Sequence, residues 1–169
     1  MTEHHIRPAT EADLPGVRAC LVETWHATYD PIFGAAEVTA ITNDWHSIEA
    51  LRANLQVPES VFLVAGDAAA ITGTVSARML EPGLVRLGRL YVLPSAQRRG
   101  LGAALLGAVT AAFPNLRCLR LEVEPRNLSA IAFYEAQGFM CTGEVPLVHG
   151  ADPALALEKN FVAAASSNT

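Results

Sequence analysis

Two glycines and two arginines stand close together in the segment Gln97–Gly102, which reads QRRGLG. A β-branched, aromatic and aliphatic run precedes it and ends at Pro94, and an apolar repeat at helical spacing begins near Gly100. Glycines at a helix start let the backbone approach a ligand closely. The free N–H groups of a first helical turn attract anions, and the arginines add charge. The segment therefore predicts a cradle for a pyrophosphate group.

Two common phosphate-binding patterns do not fit this segment. The Walker A pattern needs a lysine followed by serine or threonine after its second glycine, and the sequence supplies neither. A dinucleotide fingerprint needs a third glycine, but Ala104 and Leu105 follow instead. Taken alone, the segment leaves a second interpretation open, in which flexible glycines start a helix and the arginines are solvated.

A second segment carries side chains suited to acid–base chemistry. Leu119, Leu121 and Val123 face one way in a strand predicted over 117–124, so Glu122 and Glu124 face the other way. A helix is predicted over 127–137 and contains Tyr134. Carboxylates and tyrosines both serve as proton acceptors or donors. Non-catalytic roles are the alternative. Glu122 could form a salt bridge with Arg120 or Arg98, and the Tyr134 hydroxyl could lie in water.

Composition limits the class of protein. The 169 residues suit one domain, no apolar run could span a membrane, and the N-terminus is too polar for a signal peptide. Three distant cysteines indicate buried thiols in a reducing cytosol. The net charge of −5 argues against general nucleic-acid binding. A local charge of about +5 nonetheless suits a polyphosphate. It comes from two glutamates and seven arginines: Arg86, Arg89, Arg98, Arg99, Arg117, Arg120 and Arg126.

The elements that must position these residues follow from periodicity and turn signals. Helices are predicted from 14 to a break at Asp30-Pro31, over 36–55, from Gly100 and over 127–137. Strands are predicted over 4–8, 61–65, 71–80, 84–93, 117–124, 139–145 and 154–161, with a turn at Gly66-Asp67. Residues 162–169 are predicted to be a frayed tail. The order of elements indicates a single α/β (or α+β) domain over 1–169 with a mixed sheet.

Both segments resemble the GNAT family of N-acetyltransferases. Gln97, Gly100 and Gly102 match its acetyl-CoA loop pattern, Q/R-x-x-G-x-G/A after a strand. The segment Leu121–Phe139, LEVEPRNLSAIAFYEAQGF, is similar to the later half of the family core. There a strand with an acidic residue leads to Asn, a helix with Ala-x-x-Phe/Leu-Tyr-Glu, and Gly-Phe. The resemblance implies a mixed, mostly antiparallel sheet of about seven strands with about four helices, and a splay between the two central strands.

The resemblance also assigns residues to the cofactor. The backbone of Leu90, Tyr91 and Val92 would hold the pantetheine arm, which Asn127 would also contact. Tyr134 would lie beside the thioester sulfur. The phosphates would be bound at Gln97, Arg98, Arg99, Gly100, Leu101, Gly102 and Ala103.

The implied activity is acetyl-CoA-dependent transfer of an acetyl group directly to a primary amine in a ternary complex, without a metal. A lysine-like amine with a pKa of about 10.4 must lose a proton before it attacks, and Glu122 is the candidate base. The backbone N–H of Val92 is the candidate donor to the oxyanion, and Tyr134 the candidate acid for the thiolate. Glu124 is the runner-up base.

The acceptor and its site are less determined by the sequence. Trp25, Tyr29 and Phe33 are candidates for the acceptor side, although Trp25 could equally be core. The acceptor is left open between a small-molecule amine and a protein N-terminus or lysine. The alternative function is a non-catalytic acyl-CoA-binding or sensing module. We expect a cytoplasmic protein with no nucleic-acid or membrane partner, and a homodimer stays open.

Overall fold

The computed structural model describes residues 4–146 and 153–162. Its helices are α1 (Leu14–Phe33), α2 (Ala35–Trp45), α3 (Ile48–Asn54), α4 (Leu101–Ala112) and α5 (Leu128–Ala136), with short 3₁₀ turns at Glu11–Asp13 and Pro94–Ala96. Its strands are β1 (Ile6–Pro8), β2 (Ser60–Asp67), β3 (Ala70–Glu81), β4 (Leu84–Val92), β5 (Cys118–Val123), β6 (Met140–Val145) and β7 (Ala154–Asn160). The tail predicted at 162–169 lies outside the described residues from 163 onward.

The seven strands form one mixed sheet in the order β1-β2-β3-β4-β5-β7-β6. Four neighbouring pairs are antiparallel: β1–β2, β2–β3, β5–β7 and β6–β7. β4 and β5 pair in parallel, with Leu84–Arg86 opposite Cys118–Arg120. That ladder takes up three of the nine residues of β4. The α/β fold class with a mostly antiparallel sheet is confirmed, with five helices instead of four.

The chain divides into two compact units. The first combines the residues up to Arg78 with Leu87–Ala112, and the second combines Met79–Arg86 with the described residues from Phe113 onward. The single domain predicted over 1–169 stays a prediction. None of the helices in the described residues is long and apolar enough to span a membrane.

The core of the first unit confirms the apolar repeat of α1. Leu14, Val17 and Leu21 are fully buried, and they join Leu51 and Val64 in one cluster. Burial of this repeat fixes the helix against the strands, because each apolar side chain removed from water stabilises the fold. At its start, the buried carboxylate of Asp13 accepts two hydrogen bonds from the Arg7 guanidinium, at 2.8 and 2.7 Å.

The predicted break at Asp30-Pro31 is wrong, because α1 continues through Pro31 to Phe33. Proline removes one backbone N–H, but in the last turn of a helix this loss is limited to a single hydrogen bond. The helix ends at Gly34, whose φ is +87° and whose N–H donates to the Asp30 carbonyl at 2.9 Å. Glycine adopts that backbone conformation without strain.

The single helix predicted over 36–55 is also wrong. α2 ends at Trp45 and α3 starts at Ile48, with His46 and Ser47 between them. The hydroxyl oxygen of Ser47 accepts a hydrogen bond from the N–H of Ala50 at 3.1 Å, so Ser47 is an N-cap. A serine inside an apolar repeat therefore starts a new helix here.

The turn between β2 and β3 lies two residues later than predicted. Gly66 and Asp67 belong to β2, where Gly66 has a φ of +104° at a shift in strand register, and the turn is made by residues 68 and 69. The Asp67 carboxylate accepts hydrogen bonds at 3.0 Å from the N–H groups of Ala69 and Ala70. Asp67 therefore stabilises the turn through its side chain, although its own backbone belongs to β2.

In the second unit, β5 and β7 pair over six residues, and the Nε of Arg120 lies 2.6 Å from the Glu158 carboxylate. α5 ends at Ala136, with Gln137 as its C-cap, and Gly138 follows with a φ of +91°. Leu128, the first residue of α5, is 72% exposed.

Candidate active site

The loop before α4 has the backbone geometry of an anion-binding turn. Arg98 and Gly100 have φ values of +61° and +81°, whereas Arg99 between them does not have a positive φ. Backbone N–H groups in such alternating turns form concave sites for anions. α4 then begins at Leu101, as the sequence predicted, so its first N–H groups follow the loop directly.

Two hydrogen bonds fix this loop. The side-chain amide of Gln97 donates to the Val92 carbonyl at 2.9 Å, and the His4 ring lies 3.0 Å from the Arg99 carbonyl oxygen. The first contact ties the loop to the end of β4. The second was missed by the sequence analysis, because nothing local connects residues 95 positions apart.

The side chains of Arg98 and Arg99 are exposed. Neither forms an ion pair in the part of the chain that the structure describes. Their charges are therefore not neutralised by a described carboxylate. This arrangement suits a polyanion, because arginine binds phosphate oxygens through several donors at once.

The strand segment Leu90–Val92 is half-buried, and the next residue, Leu93, donates its N–H to the Thr72 carbonyl at 2.9 Å. The Tyr91 ring lies 6.1 Å from the Trp25 ring, measured between centroids. This segment and the loop belong to the first unit.

Trp25, Tyr29 and Phe33 lie together on α1. The rings of Trp25 and Tyr29 are 4.5 Å apart, and those of Tyr29 and Phe33 are stacked at 5.6 Å. Trp25 and Tyr29 are buried. The sequence analysis missed that Trp45 and His46 join this aromatic cluster, since the predicted continuous helix gave no reason for a break there.

Glu122 and Glu124 lie in the second unit. They have different environments, although strand alternation predicted both on the same face. Glu122 is exposed, and its Oε2 lies 3.0 Å from Nη2 of Arg86, instead of the predicted partners Arg120 and Arg98. Glu124 is buried beyond the end of β5 and accepts hydrogen bonds from the N–H and Nε of Arg126 at 3.2 and 2.8 Å. The alternation of side chains between the two faces therefore ends with β5, and of the two glutamates only Glu122 lies on the exposed face.

Tyr134 and Asn127 lie on and before α5. The Tyr134 ring is buried between the rings of Phe133 and Phe139, at centroid distances of 5.2 and 5.4 Å. The Asn127 side-chain oxygen accepts from the N–H of Ala130 at 3.1 Å and caps the helix. The second unit thus contains Glu122, Asn127 and Tyr134, and the first contains the other predicted site residues.

Comparison with known proteins identifies this class of architecture. The chain matches the model of the acetyltransferase (GNAT) family over residues 21–139. PaiA N-acetyltransferase from Thermoplasma acidophilum, solved in complex with coenzyme A, has a similar fold, with a TM-score of 0.83, 20% identity and coverage of 95% of this chain and 100% of that one. YncA from Salmonella typhimurium, solved with its cofactor acetyl-CoA, gives a TM-score of 0.65 at 18% identity over 99% of each chain.

A shorter match is closer in sequence. The peptidyl-lysine N-acetyltransferase YiaC of Escherichia coli strain K12 is 47% identical over 53 residues, which are 31% of this chain and 34% of that protein. The match thus spans about a third of the length of this curated relative. Because the family model covers well over half of the sequence, the chain belongs to the GNAT acetyltransferase family.

Proposed function

We propose that this protein is an N-acetyltransferase that moves an acetyl group directly from acetyl-CoA to a primary amine in a ternary complex. The family match over residues 21–139 carries the proposal. The loop supports it locally, since two exposed arginines without described ion pairs lie beside an alternating turn and a helix start.

The residues divide into those that bind the donor and those that act on protons. The loop from Gln97 to Ala103 would bind the phosphates, and the backbone of Leu90–Val92 and Asn127 would hold the pantetheine arm. Bound acetyl-CoA supplies an activated acyl group. No metal enters this scheme.

Glu122 would take the proton from the attacking amine, directly or through water. The N–H of Val92 would donate to the oxygen of the reacting carbonyl, where negative charge develops. Tyr134 would protonate the leaving thiolate, since a tyrosine with a pKa near 10 is still protonated at neutral pH.

The test is release of free thiol from acetyl-CoA against a panel of acceptors: peptides with varied N-termini, lysine peptides, polyamines, amino acids and aminoglycosides. Release that depends on one acceptor class supports the transferase. Tight binding of acetyl-CoA without release for any acceptor would instead favour the non-catalytic binding or sensing module. Binding measured by calorimetry on the same preparation separates these outcomes from misfolded protein.

A further inference from the structure

Three neighbouring side chains in the first unit carry buried polar atoms without hydrogen-bond partners. They are Nε1 of Trp25, both ring nitrogens of His46, and Nη1 of Arg89. Trp25 is 6% exposed and His46 is 3% exposed, and their rings lie 5.3 Å apart. Folded proteins pair nearly all of their buried polar groups. A cluster of such exceptions makes this part of the first unit a candidate binding site.

The charge around this cluster is positive. Arg89 donates from Nη2 to the Trp45 carbonyl at 3.3 Å, and Arg18 donates to the carbonyls of Thr42 and His46 at 3.0 and 2.7 Å. Neither arginine has an ion-pair partner within the described ranges. Burial lowers the pKa of Arg89, but a guanidinium stays charged at neutral pH. The guanidinium groups of Arg18 and Arg89 thus donate to neutral carbonyl oxygens, which do not neutralise their charges.

His46 adds a neutral hydrogen-bonding group to this surface. Burial, together with the charges of Arg89 and Arg18, lowers its pKa to about 3, although the Trp45 backbone acts in the opposite direction. At neutral pH the ring is therefore uncharged and cannot take a proton from an ammonium group. The neutral ring presents one N–H donor and one acceptor. Because Trp25 Nε1 and Arg89 Nη1 are also donors, the cluster contains more donors than acceptors.

We propose that Arg89, Trp25 and His46 bind the carboxylate of the acceptor, so that the acceptor is a small molecule of the amino-acid type with both an amine and a carboxylate. The proposal rests on the transferase function given above and names its acceptor class. A carboxylate presents two acceptor oxygens and the negative charge that the donors lack. Arg89 directly precedes Leu90–Val92 on β4, the strand that is proposed to hold the pantetheine arm.

The contact that a carboxylate would replace is weak. The bond from Arg89 to Trp45 is long and ends on a neutral carbonyl, whereas charge-assisted bonds are about 2.7–2.9 Å. Trp45 is the last residue of α2, and α2 buries only Val38 and Thr42 among its eleven residues. The end of α2 is held by Trp45 against the Trp25 ring and by the Arg18 bonds to the carbonyls of Thr42 and His46. Entry of a carboxylate would therefore require the end of α2 to move away from these contacts.

The kinetic test compares free L-amino acids with their C-terminal amides as acceptors. We expect kcat/KM to be at least about tenfold higher for the acid, because bonds to a charged group are worth that factor or more. Arg89→Gln should remove this preference by lowering kcat/KM for the acid alone. Arg78→Gln, which changes an exposed arginine of β3, should keep it. Equal use of acid and amide by the wild type, or an equal loss for both in Arg89→Gln, would overturn the proposal.

A binding test separates this proposal from the transferase function. Tryptophan fluorescence is titrated with free amino acids in the presence of CoA, where no transfer occurs. Saturation by the acids but not by the amides, lost in Arg89→Gln, supports the carboxylate subsite even if no acceptor is acetylated. Transfer to amides and peptides as fast as to amino acids, with no saturable signal from the acids, would reject the subsite and leave the transferase standing.

Discussion

Arg86 and Glu122 form an ion pair between the parallel strands β4 and β5, with Nη2 of the arginine 3.0 Å from Oε2 of the glutamate. Both side chains remain partly exposed, at 41% and 34%. Such a pair contributes roughly 0.2–1 kcal/mol to stability. The fold therefore does not depend on it, and the function of Glu122 can be tested without unfolding the protein.

Glu122→Gln is expected to lower kcat about 10²- to 10⁴-fold, the range for loss of a general base, while the affinity for acetyl-CoA and the melting temperature stay nearly constant. Glu135→Gln, which changes an exposed glutamate of α5, is the matched control. Steady-state kinetics and calorimetry on both variants measure this. Equal rates in the two variants would remove Glu122 from the mechanism.

Tyr134→Phe is expected to lower turnover by about 10²-fold, because only the proton donor is lost. The aromatic ring, which packs between Phe133 and Phe139, is kept. The affinity for acetyl-CoA should therefore change little, as measured by calorimetry. A collapse of binding together with stability would show that the hydroxyl is structural.

Gly102→Leu is expected to weaken acetyl-CoA binding by at least about 100-fold, because a side chain in the first turn of α4 would block the approach of a phosphate to the backbone. Gly107→Leu is the control on the same helix, since a Cβ there meets no atom within 4 Å. Its affinity should stay within a few-fold of the wild type. Equal affinities in both variants would reject the phosphate cradle.

The burial of His46 predicts a specific loss of stability in mild acid. Its pKa falls from about 6.5 in the unfolded chain to about 3 in the fold, so its contribution is present above pH 6.5 and is lost as the pH falls toward 3. Between pH 7.5 and 5.5 the free energy of unfolding should fall by about 1.4 kcal/mol more in the wild type than in His46→Gln. Urea denaturation at both pH values measures this, and parallel pH slopes would contradict it.

The predictable part of the fold is the part fixed by local chemistry. The boundary between Pro94 and Leu101, the cap at Asn127 and the stop at Gly138 each depend on one residue whose backbone preference or side chain acts nearby. Periodicity and turn signals also located the seven strands of the described sheet.

Periodicity alone did not predict the remaining features. Pro31 stays helical in the last turn of α1, and Ser47 starts α3 as an N-cap inside an apolar repeat that predicted one continuous helix. The partner of Glu122 could not be predicted, since it depends on the register of β4 and β5, in which Arg86 is paired with Arg120, two residues before Glu122. The polar cluster of Trp25, His46 and Arg89 joins three elements, and no pattern within one element indicates it.

Direct transfer from acetyl-CoA to an amine can be followed with an isotopically labelled acetyl group. The protein is incubated with labelled acetyl-CoA and the acceptor panel, and the products are analysed by mass spectrometry alongside free CoA. We expect one labelled acetyl group on a primary amine for each CoA released, with Tyr134→Phe strongly impaired. Saturable binding of acetyl-CoA with no label on any acceptor, or with label on the protein alone, would contradict direct transfer.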